Sequence, residues 1–98
     1  MPNDAGVTVL IPTPLRQFTG GEAKVVVAGS SVGEVLDALQ IAHPGIGERL
    51  RDDSGQIRRF VNVFVNGQNV RDGQGLDTRL ASGDEVGIIP AMAGGAGD

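Results

Sequence analysis

Cysteine is absent from the 98 residues, and so are tryptophan and tyrosine. Without a thiol the chain cannot form a disulfide, build a thiolate metal site or hold an iron–sulfur cluster on its own side chains. Three phenylalanines are the only aromatics, so a core has to be made of Val, Ile and Leu. There is one histidine, His43, and one lysine, Lys24. Positive charge is also short: eight Lys and Arg against twelve Asp and Glu give a formal net charge of −4. That balance speaks against the basic face of a nucleic-acid binder. No apolar run approaches the roughly 20 residues of a membrane span. The polar start, Met1 to Gly6, lacks the basic and apolar regions of a secretory signal. The expectation is a cytoplasmic protein with neither nucleic-acid nor membrane partners.

What is present suits one domain with one modest core. Val7 to Ile11 reads as a strand, ended by Pro12 and Pro14. Leu15 to Gly21 reads as a connector with a turn at Gly20-Gly21, and Glu22 to Ala28 as a second strand. Ser31 to Ala42 is the clear helix. Ser31 is placed to cap it, with Glu34 three residues on completing a capping box. Val32, Val35, Leu36, Leu39 and His43 recur on one face. Pro44 stops the helix, and Ile46 to Leu50 is long enough for one more turn. Phe60 to Asn66 alternates, with Val61, Val63 and Val65 on one side and Phe60 and Phe64 on the other. Asn66-Gly67 signals a hairpin into a short return strand, Gln68 to Val70. Leu76 and Leu80 are expected to dip into the core from a polar loop. A last strand, Glu85 to Ile89, points Val86 and Ile88 inward and ends at Pro90.

Two strands, a helix, a strand, a short strand and a final strand make an α+β domain with one main helix across a mixed sheet. That is the β-grasp, or ubiquitin-like, layout. Residues 1–90 are expected to form it, and 91–98, with nothing bulkier than Met92, to be a mobile tail.

The ending from Gly83-Asp84 through Val86, Ile88, Ile89 and Pro90 to Gly94-Gly95 resembles that of ubiquitin-like sulfur carriers. This family includes the small subunit of molybdopterin synthase and the thiamine sulfur carrier. The segments Val9 to Arg16, Gly20-Gly21, Gly45 to Leu50, Arg59 to Asn66 and Val70-Arg71 resemble the actinobacterial carrier for cysteine synthesis. The resemblance implies a cycle run by partners. A ubiquitin-activating-type adenylyltransferase uses ATP to adenylate the terminal glycine, Gly95. A sulfur donor converts the adenylate to a thiocarboxylate, and a sulfur-accepting synthase takes the sulfur. The chain itself would be a carrier, not an enzyme, with no catalytic residue and no metal or cofactor of its own.

The chemistry fits the residues. A carboxylate is a poor electrophile and no side chain here can activate it. Ala93 and Gly94 must thread a narrow channel to bring Gly95 to the nucleotide, and glycine allows the closest approach. From composition alone an inert terminus is the plainer reading of Gly94-Gly95; the family pattern reverses that preference. This chain continues, however, with Ala96-Gly97-Asp98, which leaves Gly95 in an amide. The resemblance implies cleavage between Gly95 and Ala96 by a JAMM-type metallopeptidase, unless those three residues are not native.

Phe60 and Phe64, with Leu10 and Ile89, are expected to form a partly exposed patch for partner docking. Arg58-Arg59 reads as a solvated strand end that discourages aggregation. His43 suits a helix C-terminus better than acid–base work. Asp52-Asp53 lacks calcium-loop spacing. Cysteine synthesis is the first choice of pathway, a thiosugar or other natural product the next, and molybdopterin the third. Two further classes stay open: a protein modifier conjugated through Gly95, and an interaction module with an inert terminus.

Overall fold

The computed structural model describes residues 6–90. The expectations for Ala93, Gly94, Gly95 and Ala96 therefore fall outside the described residues. The strands are β1 (Gly6–Leu10), β2 (Lys24–Ala28), β3 (Val61–Val65), β4 (Gln68–Asn69) and β5 (Glu85–Pro90). They form one sheet in the order β2-β1-β5-β3-β4. β1 runs parallel to β5, and the other pairings are antiparallel. Helices α1 (Val32–Ala42) and α2 (Ile46–Leu50) lie between β2 and β3 in the chain. This is the expected β-grasp.

The core sits between α1 and one face of the sheet. Val32, Val35, Leu36 and Leu39 of α1 are buried, as are Val7 and Val9 of β1, Val61 and Val63 of β3, and Val86 and Ile88 of β5. Each such side chain contributes about 2 kcal/mol by leaving water. With so few aromatics, the core is aliphatic throughout. His43, placed by periodicity on the buried face, is only half-buried and is the C-cap of α1.

Capping differs in one respect from the capping box. The Glu34 N–H donates to Ser31 Oγ, as expected. The Glu34 carboxylate, however, accepts from the N–H and the hydroxyl of Ser30, both at 2.9 Å. It thus secures the residue before the cap and draws the end of β2 onto the helix. Those two bonds hold the Glu34 pKa below its ordinary value.

Boundaries also differ. The expected connector contains a 3-10 helix, Thr13–Phe18, because Pro14 fits its first turn instead of merely ending β1. β2 begins at Lys24, since Thr19 holds the preceding turn by donating its hydroxyl to Glu22 O at 2.8 Å. The return strand is two residues, and Val70 opens a 3-10 turn, buried under the sheet end. The Asn66-Gly67 hairpin is as expected, with φ of 49° and 91° at the two turn residues. Gly45, at φ 102°, separates α1 from α2. α2 has no cap on its own N-terminus; Gln40 of α1 accepts from the Gly47 N–H at 2.6 Å instead.

Candidate functional site

Alternation in the strands leaves the second face of the sheet without a covering layer. The register places its residues in rows. Leu10 pairs with Gly87 across the parallel ladder, Gly87 with Phe64 across β3–β5, and Phe64 with Asn69 across the hairpin. The same row continues to Lys24, opposite Leu10. The next row sets Ile89 beside Asn62. Three of the four residues expected to dock partners, Leu10, Phe64 and Ile89, therefore share this face. Ile89 is 53% exposed, and Leu10 and Phe64 are half-buried.

Gly87 lies between Leu10 and Phe64. A Cβ built there would meet nothing within 4 Å. The absence of a side chain thus leaves a notch at the middle of the row, open to a partner's side chain. Asn69 donates to Asn62 through their side-chain amides, giving the apolar row a polar border. Apolar contact ringed by polar groups is the anatomy of a docking surface.

Phe60 is placed differently. It lies in the turn before β3, is 55% exposed, and borders Glu48, Arg49 and Arg58 at the α2 end of the sheet. Arg58 is not the solvated strand end expected. It is half-buried, and its Nε donates to the Glu48 carbonyl at 2.8 Å, which ties α2 to the approach of β3. Arg71 completes that tie by donating to the carbonyls of Arg58 and Val61.

Two surface apolar residues were not foreseen, Val26 of β2 and Ile41 of α1, the latter 81% exposed. Val26 is 67% exposed and stands beside Thr8 on the outer face. Alternation along β2 sends Val25 and Val27 to the core side and Val26 to the other face, which the sheet leaves uncovered. Along the other border of this face, Asp84 accepts from the Ala81 N–H and from the Asn66 amide. These bonds lower its pKa and fix the turn into β5.

Among the described residues, no three His, Cys, Asp or Glu side chains are grouped to hold a metal ion, and no helix is long and apolar enough to cross a membrane. Val61 pairs with Pro90, so the chain passes into residues 91–98 beside the start of β3.

The ThiS family model matches residues 9–95. The chain is 50% identical over 91 residues to the sulfur carrier protein CysO of Mycobacterium tuberculosis, covering 91% of this chain and 98% of that one. It is 39% identical over 66 residues to small archaeal modifier protein 3 of Haloferax volcanii, covering 67% of this chain and 71% of the relative. Among solved structures, one chain of the Amycolatopsis orientalis BexX/CysO complex is 44% identical and superposes with a TM-score of 0.86, covering 90% of this chain and 98% of that one.

Proposed function

We propose, on the premise that this chain belongs to the ThiS family, that it is a sulfur carrier working through the carboxylate of Gly95. The observation that carries this reading is the extent of the family match. It runs through the sheet, past Pro90 and up to Gly95, and stops before Ala96-Gly97-Asp98. Similarity to CysO, over nearly the whole of both chains, supports the same role.

The steps follow from carboxylate chemistry. Hydrolysis of the Gly95–Ala96 amide by a JAMM-type metallopeptidase adds water and frees the Gly95 carboxylate. An activating enzyme joins that carboxylate to the α-phosphate of ATP and releases pyrophosphate. A hydrosulfide donor attacks the acyl carbon, AMP leaves, and a thiocarboxylate results. The chain contributes presentation: Ala93 and Gly94 pass through the partner's channel, while Leu10, Phe64 and Ile89 dock the sheet face. A sulfur-accepting synthase, for cysteine or for a thiosugar, then takes the sulfur. The BexX/CysO assembly of the Amycolatopsis relative supports docking on such a partner.

The test is the intact mass of the protein recovered from its own host. The expected mass lacks Ala-Gly-Asp and shows one oxygen replaced by sulfur. A full-length, unmodified mass under sulfur demand would overturn the reading. The similarity to a small archaeal modifier protein favours one second reading, conjugation of Gly95 to lysines of other proteins. Isopeptide-linked adducts in the same measurement, in place of the thiocarboxylate, would select it.

A further inference from the structure

The surface around Phe60 is built differently from the outer face. Three arginines crowd its exposed ring. A cleft of about 310 Å³ is walled by Glu48, Arg49, Arg58 and Phe60. A second, of about 210 Å³, is walled by Asp52, Arg58, Arg59 and Phe60. The arrangement is held by contacts already in place. The Arg49 guanidinium sits 5.4 Å above the Phe18 ring, and Arg58 is bonded to the Glu48 carbonyl. Asp52 is occupied by Ser54 and the Gln56 N–H. Among the described residues the ion pair formed is Arg51–Asp37; Arg49 and Arg59 form none there, while Arg58 stands near enough to Asp52 to help lower its pKa. A chain of net charge −4 therefore gathers three arginines against two carboxylates, Glu48 and Asp52, around one exposed aromatic ring. Phe60 directly precedes Val61, the partner of Pro90, so it lies at the end of β5.

We propose that Phe60, Arg49 and Arg59 form a second docking surface for an acidic, apolar-tipped protein segment at the mouth of the partner's channel. The proposal rests on the carrier reading and names the chemistry of the partner it requires. An exposed ring offers apolar area, and guanidinium groups beside it match carboxylates in paired hydrogen bonds. Charges at the rim of an interface act mainly by speeding encounter and fixing orientation. Here they would align the carrier so that the tail meets the channel. Phosphate of a nucleic acid fits less well, because the rest of the surface carries the acidic excess.

ATP–pyrophosphate exchange by the host's own ubiquitin-activating-type enzyme tests this, with the chain ending at Gly95 as substrate. Arg49→Glu/Arg59→Glu is expected to raise KM for the carrier by about tenfold or more, to leave kcat unchanged and to flatten the dependence on salt. Arg59→Glu alone, at an exposed position, is expected to do the same in smaller measure, and thermal melting checks that each variant is folded. Arg79→Glu, an exposed arginine near the start of α1, is expected to leave KM as it is. An unchanged KM in both folded arginine variants, or an equal rise with Arg79→Glu, would overturn the surface and leave the carrier reading standing. No exchange with the wild-type chain would overturn the carrier reading, and the surface with it.

Discussion

Phe64 stands directly opposite Gly87 across the β3–β5 ladder, so the β5 position facing it carries no side chain. Filling the notch should separate docking from folding. Gly87→Val meets open space and favours extended backbone, so stability is expected to hold within about 1 kcal/mol. Affinity for the activating enzyme is expected to fall about tenfold or more, the scale of a lost anchor. Phe64→Asp is expected to weaken binding as well, by placing a charge in the row. Calorimetric titration against the activating enzyme checks both; unchanged affinity would remove the outer face from the docking surface.

Gly95→Val, in a chain ending at that residue, is expected to fold as the wild type does and to fail in adenylation. The branched side chain narrows the backbone's freedom and adds bulk beside the reacting carbonyl. Pyrophosphate exchange measures it, and a Gly95→Val chain still charged with sulfur would refute the threading argument.

Acid should weaken the fold through carboxylates that hold turns. Glu34 is bonded to Ser30, Asp52 to the Ser54 hydroxyl and the Gln56 N–H, and Asp84 to the Ala81 N–H. Each has its folded pKa lowered, so the unfolded chain takes up protons first as pH falls. The stability these bonds give is complete above the unfolded values, near pH 4, and is lost as pH drops through the folded ones. Denaturant titrations between pH 2 and 7 should show this slope, and Asp84→Asn should reduce it.

Gly45→Ala is expected to cost about 1–3 kcal/mol, because its φ of 102° is unfavourable to any side chain. An added Cβ would also come within 3.1 Å of the Phe18 ring. Gly67→Ala has the strain without the crowding and should cost less. Urea unfolding of the two variants measures the difference.

Local patterns carried much of this architecture. The Ser31 cap, the spacing of Val32, Val35, Leu36 and Leu39, the Asn66-Gly67 turn and the alternation of β3 all act within a few residues, and each was legible. The 3-10 helix at Thr13–Phe18 was not, because Pro12 and Pro14 signal only an interruption. Neither the exposure of Val26 nor the notch at Gly87 can be read locally. Both depend on which strand lies alongside, and the partners are Thr8, Leu10 and Phe64, all distant in sequence. Arg58 was misjudged for the same reason, since its acceptor is a carbonyl of α2. Leu10, Phe64 and Ile89 could be named as a patch from alternation, whereas their row order required the register. The expected role of Gly95 rested on family pattern, and it lies outside the described residues.

β5 is the central strand of five, laddered to β1 on one side and β3 on the other. It is also the strand that leads into residues 91–98. Force applied along that segment, as when an enzyme holds the terminus while the domain pulls away, loads both ladders in shear. Their hydrogen bonds then resist together and do not peel apart one by one. The domain is thus mechanically anchored at its middle strand, the one from which residues 91–98 lead.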